Sequence, residues 1–394
     1  MVNSKIIISG LALAVIAATA PFHSNTSFSI TQVAVEVPTV PPATIYAQAY
    51  SRLGVKVPNY IALAARSGWT DSVIANPFKN DIIYLTPIQI GADILQVTLD
   101  TGSANLWGYT AQTPCVGFHA TYNTQTGILM PGYHWSTING NKIILKGRVF
   151  LDKIKLGHLS FPYQAVQVVD TIEPVSAMLD PYRRHDGIIG LAFSSRNTIQ
   201  PIQQKTFFDN IKPYLNSPLF AVYLKHRAPG SYDLGWIDPS KYKGQLFWRV
   251  VDDSRGLWTI AVDGFSIGGD SSSSIPFPAT IDTGTTLVLL QEDVVREYYK
   301  KIPGSYKCLQ NGGYIFPCTN ATVIPDFTLN FGLHTTPIPG ELIKYIRNST
   351  HCYGGIQPSP DPNLNVLGDI FLKSYYVIFY SDTTSPQIGI APQA

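Results

Sequence analysis

The residues of this chain that could do chemistry form a repeated tripeptide, Asp-Thr-Gly, followed each time by a hydroxyl residue. It occurs at Asp100 and again at Asp282, 182 residues further along a chain of 394. Hydrolysis of a peptide bond needs a base that activates water and an acid that protonates the carbonyl oxygen or the leaving amine. Two carboxyl groups about 3 Å apart cannot both ionise easily, so they share a proton and together supply both roles. The repeat therefore predicts a hydrolytic site built from Asp100 and Asp282.

The residues that follow each aspartate are of types that can hold two neighbouring carboxyl groups in place. Glycine lets backbone approach a carboxylate closely. The hydroxyl residue after each glycine can bond an outer carboxylate oxygen, and the two threonines suit buried hydroxyls that tie the loops together. The same residue types are ordinary in turns, so this interpretation depends on the repeat. The six predicted supporting residues are Thr101, Gly102, Ser103, Thr283, Gly284 and Thr285.

Each motif also has a downstream partner, an apolar pair followed by glycine. Gly190 lies 90 residues after Asp100, and Gly368 lies 86 residues after Asp282. Two motifs with matching partners indicate two similar halves, each placing one carboxylate at the end of a strand. The two downstream pieces are Ile188-Ile189-Gly190 and Val366-Leu367-Gly368.

The elements that must position these motifs read as strands. After Asp81, short apolar runs are broken by Gly, Pro, Asn and Asp, and helical patterns interrupt them only near residues 200–214 and 292–301. This texture predicts an all-β fold with a few short helices. Charged residues make up 14% of the chain and the net charge is +2, which favours neither nucleic acid nor a membrane surface as a partner.

The first 75 residues differ from the rest. Lys5 precedes an apolar stretch that ends in small residues, which predicts a secretory signal peptide over residues 1–20. Residues 21–75 lack strand alternation and contain a Pro-rich stretch, so we interpret them as a prosegment. The sequons at Asn320 and Asn348 agree with export and are candidate glycosylation sites, as is the one at Asn25.

Taken in order, these motifs resemble those of the pepsin family of aspartic endopeptidases over roughly Tyr84 to Pro392. The resemblance implies a bilobal, pepsin-like double barrel with pseudo-two-fold symmetry, with lobes at residues 76–238 and 239–394. One aspartate from each lobe would face a cleft that binds an extended peptide. It also implies a zymogen, secreted or held in a lysosome-like compartment, that acts as a monomer on peptide or protein substrates. The family uses no metal or organic cofactor.

Trp107 matches a tryptophan that supports the family's cleft, although a core tryptophan is an equally good interpretation. The chain departs from the family at the flap, the hairpin over the cleft that carries a tyrosine near its tip. Here the tip falls at Asn139 and Gly140, a dipeptide suited to a tight turn. Tyr133 or Trp135 in the stem of the hairpin could take over the role of the missing tyrosine.

Four cysteines occur without a C-x-x-C pair or a histidine cluster, which argues against a zinc site. Cys318 and Cys352 stand at positions that resemble a disulfide pair of the family. The resemblance assigns no partner to Cys115 or Cys308.

Two rival functions remain open at this point. Ser266 lies in a G-x-S-x-G sequence, as in serine hydrolases, but no helical pattern follows it. The second rival is a catalytically weak or inactive homologue that grips peptides without cutting them. The altered flap favours that alternative, and the two intact aspartates oppose it.

Overall fold

Strands dominate the part of the chain that the computed structural model describes. Within it, four short α-helices and three single 3₁₀ turns interrupt the strands, and none of these helices is long and apolar enough to cross a membrane. The prediction of an all-β fold with a few short helices is confirmed. The described residues are 71–78, 81, 83–138, 143–174, 185–270, 272–308, 311–318, 323–347, 350–381 and 385–394.

The first half of the fold contains twelve of the described strands and one α-helix, α1 (Phe207–Ile211). The strands are β1 (Asp71–Phe78), β2 (Ile83–Ile90), β3 (Asp93–Asp100), β4 (Leu106–Gly108), β5 (Ile128–Ile138), β6 (Ile144–Leu156), β7 (Leu159–Val168), β8 (Thr171–Glu173), β9 (Gly187–Gly190), β10 (Ile199–Gln200), β11 (Leu219–Lys225) and β12 (Ala228–Leu234).

The second half contains fifteen described strands and the helices α2 (Glu292–Lys300), α3 (Gly340–Ile343) and α4 (Asp369–Leu372). The strands are β13 (Phe247–Asp252), β14 (Thr259–Val262), β15 (Gly264–Ile267), β16 (Phe277–Ile281), β17 (Val288–Leu290), β18 (Tyr306–Cys308), β19 (Gly313–Pro317), β20 (Phe327–Phe331), β21 (His334–Ile338), β22 (Lys344–Arg347), β23 (His351–Gly354), β24 (Ile356–Pro358), β25 (Val366–Leu367), β26 (Tyr375–Tyr380) and β27 (Gln387–Pro392).

A six-stranded antiparallel sheet joins the two halves. Its order is β1-β12-β11-β26-β27-β13, so each half supplies three strands. In the middle, Phe220 pairs with Phe379, and their rings stack with centroids 4.7 Å apart. Burial of aromatic and β-branched side chains on such a surface stabilises the sheet. The symmetry of this sheet agrees with the two similar halves predicted from the repeat.

The same symmetry positions the two motifs. β3, which ends at Asp100, runs parallel to β9 and is paired with it from Val97 to Asp100. β16, which ends one residue before Asp282, runs parallel to β25, and Ile281 is paired with Leu367. β9 contains all of the first downstream piece, and β25 contains Val366 and Leu367 of the second, with Gly368 directly after it. Each aspartate therefore stands at the carboxyl end of a buried strand in its own half.

Two boundaries differ from the sequence predictions. Residues 71–75, predicted as the end of the prosegment, belong to β1, where Val73 and Ala75 are buried and the backbone pairs with β12. The helix predicted near residues 200–214 is shorter, because Gln200 belongs to β10 and Pro201 follows it. Proline cannot donate a helical hydrogen bond, so α1 begins only at Phe207, capped by the hydroxyl of Thr206.

The predicted disulfide between Cys318 and Cys352 is present, with the Cα atoms 5.2 Å apart. It links the end of β19 to β23 within the second half. Cys115 is exposed and Cys308 is half-buried, and both are free thiols. Ser266 lies on β15, and a glycine turn follows it instead of a helix, which removes the basis of the serine hydrolase reading.

Candidate active site

The structure brings the two predicted catalytic aspartates together. The carboxyl groups of Asp100 and Asp282 lie within hydrogen-bond reach of each other. A Cβ atom added to Gly102 would lie 2.7 Å from both carboxylate oxygens of Asp282, and one added to Gly284 would lie 2.6 Å from Cγ of Asp100. Each glycine therefore leaves the space that the opposite carboxyl group fills.

Each carboxyl group is held by its own loop in the same way. Asp100 accepts the backbone N–H of Gly102 at 2.8 Å and the hydroxyl of Ser103 at 2.5 Å. Asp282 accepts the backbone N–H of Gly284 at 2.8 Å and the hydroxyl of Thr285 at 2.6 Å. Such bonds to an ionised oxygen are about twice as strong as neutral ones, so they fix the rotation of both carboxyl groups. Ser103 and Thr285 are where the sequence predicted them.

Thr101 and Thr283 form a reciprocal hydroxyl bridge beneath the pair. The backbone N–H of each threonine donates to the hydroxyl of the other, both at 3.0 Å. Thr101 Oγ1 donates in turn to the carbonyl of Ile281 at 2.9 Å, and Thr283 Oγ1 donates to the carbonyl of Leu99 at 2.7 Å. Both side chains are buried, so the bonds are shielded from competing water. The bridge ties the two loops to one another across the symmetry axis.

The downstream glycines support the loops from behind. Leu191 N–H donates to the carbonyl of Asp100 at 2.7 Å, and Asp282 N–H donates to the carbonyl of Leu367 at 3.1 Å. A side chain at Gly190 or at Gly368 would collide with the backbone of the adjacent motif. This close approach explains why each apolar pair is followed by glycine.

The electrostatics of the pair follow from its burial. Desolvation, the larger cause, and the neighbouring charge of Asp282 together raise the pKa of Asp100 to about 7. The hydrogen bonds from Ser103 and Gly102 oppose that rise, because they favour the charged form. Since the two carboxyl groups titrate together, the raised pKa describes a proton held by the pair.

Trp107, predicted either to support the cleft or to be a core tryptophan, is 2% exposed. Its indole stacks on Trp135 with centroids 6.3 Å apart and meets Tyr109 edge to face. It therefore packs in a buried hydrophobic cluster, as a core tryptophan does, and offers almost no surface to a ligand. Trp135 is equally buried and its Nε1–H donates to the carbonyl of Val168 at 2.8 Å. That bond argues against Trp135 swinging over the pair, which leaves half-buried Tyr133 as the stem residue with more freedom.

Several predicted site residues lie outside the described residues. These are Asn139 and Gly140 at the tip of the flap, the sequons at Asn25, Asn320 and Asn348, and the signal segment 1–20. Among the residues that are described, no group of three or more His, Cys, Asp or Glu side chains is arranged to hold a metal ion.

Sequence reasoning missed two residues beside the pair. Asp369 follows Gly368 directly, is 1% exposed, and takes the place that Leu191 has in the first half. Tyr232 is buried, and its hydroxyl reaches the carbonyl of Leu99 at 3.2 Å. Aligning the two halves could have found Asp369, because it is an acid opposite a leucine. No pattern in the sequence points to Tyr232.

Comparison with known proteins agrees with this geometry. The family model described as eukaryotic aspartyl protease matches residues 83–393. The chain is 45% identical to penicillopepsin-1 of Talaromyces stipitatus over 395 aligned positions, which cover 100% of both chains. It is 41% identical to aspergillopepsin-1 of Aspergillus pseudoglaucus and 39% identical to penicillopepsin-2 of Penicillium janthinellum, again over 100% of each chain.

Proposed function

The chain belongs to the eukaryotic aspartyl protease family and is an aspartic endopeptidase, and on this premise we propose that Asp100 and Asp282 are its catalytic pair. The observation that carries the proposal is the hydroxyl bridge of Thr101 and Thr283, which holds two carboxyl groups within hydrogen-bond reach. The intact carboxyl groups and their four supporting bonds support the proposal of a site that cuts peptides. They give no support to a homologue that only grips peptides.

In the mechanism we propose, the pair holds one proton. The ionised carboxylate takes a proton from a water molecule bound between the two groups, and that water attacks the carbonyl carbon of the peptide bond. The protonated carboxyl group donates its proton to the carbonyl oxygen, which gives a tetrahedral intermediate with two hydroxyl groups. When the C–N bond breaks, the proton taken from water goes to the leaving amine, and one hydroxyl proton of the intermediate returns to the other carboxylate, so the pair again holds one proton. The raised pKa of Asp100 keeps a proton on the pair up to about pH 7. Turnover should fall as the pH rises through that pKa, because the acid is then lost.

The substrate we propose is an extended stretch of peptide or protein chain. Trp107 would support the cleft wall from behind, through its stacking on Trp135. Asn139 and Gly140 would form the tip of the flap over the substrate. Without a tyrosine at that tip the bound substrate is positioned less firmly, so we expect slower turnover than a tyrosine would give.

We also propose that the chain is made as a secreted zymogen and acts as a monomer. Residues 1–20 would direct export, and Asn320 and Asn348 would carry glycans. The prosegment would end before Asp71, because β1 pairs with β12 from that residue on. N-terminal sequencing of the secreted protein tests this, and an end beyond residue 70 would contradict it because β1 would be cut.

The catalytic roles are tested by replacing each aspartate with asparagine, which keeps the shape and loses the shared proton. We expect Asp100→Asn and Asp282→Asn to abolish cleavage of a denatured protein at acid pH while the unfolding temperature stays close to that of the parent. Asp253→Asn, at an exposed position, is the matched control and should retain full activity. Intrinsic turnover in Asp282→Asn, with contaminating protease excluded, would disprove the assignment.

A further inference from the structure

The carbonyl oxygen of Leu99 accepts hydrogen bonds from two buried hydroxyl groups. It belongs to the peptide unit that leads directly into Asp100, so its orientation sets the direction of the Asp100 side chain. Thr283 Oγ1 donates to it at 2.7 Å as part of the hydroxyl bridge. The hydroxyl of Tyr232 donates to it at 3.2 Å. Tyr232 lies 133 residues after Leu99, and nothing in the motif itself requires this second bond.

Tyr232 is well placed to hold that carbonyl in a fixed position. It lies on β12, between Val73 of β1 and Val222 of β11 in the register of the sheet, and is 2% exposed. Burial raises the pKa of Tyr232, so the hydroxyl remains a proton donor across the acid and neutral range. The hydroxyl also interacts with the side chain of Thr283. It therefore contacts both the bridge and the peptide unit before Asp100.

The second half has no counterpart to this hydroxyl on the corresponding strand. β12 flanks β11 on one side of the central sheet, and β27 flanks β26 on the other. β27 reads Gln-Ile-Gly-Ile-Ala-Pro, which contains no hydroxyl side chain. The carbonyl of Ile281, which matches that of Leu99, is bonded by Thr101. The Tyr232 bond thus breaks a symmetry that the two motifs otherwise keep.

We propose that Tyr232 is a positioning residue, which fixes the Leu99–Asp100 peptide unit and through it the angle of the Asp100 carboxyl group to that of Asp282. This rests on the proposed catalytic roles of the two aspartates. Misplacing a reacting group by 1 Å can cost about a hundredfold in rate. Loss of one of two donors to Leu99 allows a smaller displacement, and we expect turnover to fall about 5- to 20-fold.

The shape of the pH profile follows from the same geometry. Two carboxyl groups share a proton best when their planes are aligned, and that sharing holds the proton to higher pH. Freeing the peptide unit before Asp100 weakens the sharing, so the alkaline limb of the profile moves to lower pH. The ionisable groups around the Tyr232 hydroxyl are Asp369, Asp100 and Asp282, with Tyr84 from β2. None of them is altered when Tyr232 becomes phenylalanine.

The test is Tyr232→Phe, which keeps the ring and removes only the hydroxyl. We expect kcat to fall about 5- to 20-fold, KM to stay within about twofold, and the alkaline limb to move to lower pH. Titrating the active sites with a tight-binding peptide that carries a hydroxyl group in place of the scissile carbonyl makes kcat a value per folded site. A partly folded preparation then still gives a clear answer.

The matched control is Tyr298→Phe on α2. Its hydroxyl is also buried and also donates to a backbone carbonyl, that of Pro325, at 2.8 Å. A general loss of stability would affect both variants, whereas a positioning role predicts a normal kcat and pH profile in Tyr298→Phe. A normal kcat and alkaline limb in Tyr232→Phe, or equal losses in both variants, would overturn the proposal. Asp282→Asn, measured alongside, tests the catalytic assignment separately.

Discussion

The two Asp-Thr-Gly loops make nearly the same hydrogen bonds to their aspartates, but the residues around the two loops differ. Asp100 and Asp282 each accept one backbone N–H at 2.8 Å and one hydroxyl at 2.5 to 2.6 Å. Outside the loops, the first half has Leu191 after its downstream glycine and the second has Asp369. The repeated motif therefore sets the geometry of the pair, and residues beyond the motif make its two members unequal.

Asp369 is the largest of these differences. It is 1% exposed, and its Oδ1 has no hydrogen-bond partner in the described part of the chain. Burial raises its pKa well above the usual range, the charge of Lys373 opposes that rise, and Asp282 adds to it. Lys373 is itself engaged with buried Asp81 at 3.3 Å. The second half thus has an acidic side chain close to the pair where the first half has a hydrocarbon.

Replacing Gly102 or Gly284 with alanine should have the largest effect on activity, because the added methyl group occupies the space of the opposite carboxyl group. In Gly102→Ala the new methyl group would lie 2.7 Å from both oxygens of Asp282, and in Gly284→Ala the collision with Asp100 is closer still. We expect both variants to lose more than about a hundredfold in kcat/KM, because the carboxyl groups must move apart. Kinetics on protein with a normal circular dichroism spectrum checks this. A Gly102→Ala enzyme with more than a tenth of the parent activity would contradict it.

Removing the hydroxyl group that bonds one carboxylate should have a smaller effect than filling the space beneath it, and it can be done in either loop. The bond from Ser103 lowers the pKa of Asp100, so Ser103→Ala should raise that pKa and move the alkaline limb to higher pH. A hydrogen bond to a charged group contributes about 1.5–3 kcal/mol, so we expect kcat/KM to fall roughly tenfold or more. The shift is opposite in direction to the one expected for Tyr232→Phe.

The matched variant Thr285→Ala removes the same bond from Asp282. Profiles measured from pH 3 to pH 8 under one set of conditions would compare them. If the alkaline limb of the pH profile moved to lower pH in Ser103→Ala, the hydroxyl of Ser103 would not be stabilising the ionised form of Asp100.

Replacing Asp369 with asparagine should change stability more than turnover. An acid whose pKa is raised by folding holds its proton more tightly in the native state. Its contribution is fully present below the pKa of the unfolded chain and is lost as the pH rises through the raised folded pKa. The parent should therefore lose stability from about pH 4 upward, and Asp369→Asn should lose less.

Urea unfolding at several pH values measures this difference. Part of the decline remains in the variant, because the pKa of Asp100 is raised as well. Parallel curves for the parent and Asp369→Asn would mean that Asp369 titrates alike in the folded and unfolded chain.

Removing the disulfide should have the smallest effect on turnover. The bond between Cys318 and Cys352 closes a separation of 34 residues in the second half, worth about 3–4 kcal/mol in the loop-entropy model. The double variant Cys318→Ala/Cys352→Ala should unfold at lower urea concentration and keep normal kinetics at 25 °C. Hydrogen exchange should rise first in β19 and β23. A change that began in the first half would contradict this local view.

The sequence predicted the site best where a residue bonds to neighbours in its own loop. The paired aspartates, their hydroxyl partners and the downstream glycines were all predictable, because a loop of three or four residues largely determines its own bonds. Tyr232 and Asp369 were not, since their roles come from strands that meet only after folding. Trp107 shows the same limit. The residue type predicted a supporting or core tryptophan, but its burial against Trp135 depends on β5, which packs beside it only after folding.

The central sheet and the hydroxyl bridge also set an order of events during synthesis. One half of the pair is made 182 residues before the other, which at about 5–20 residues per second is a delay of roughly 10–35 s on the ribosome. During that time Thr101 has no Thr283 to bond, and β11, made within this interval, has no β26 to pair with until after Asp282 has been made. A nascent chain therefore contains no assembled site that could cut its neighbours. With the proposed catalytic pair, proteolytic activity can arise only after Asp282 has been made, because the site is divided between two distant parts of the chain.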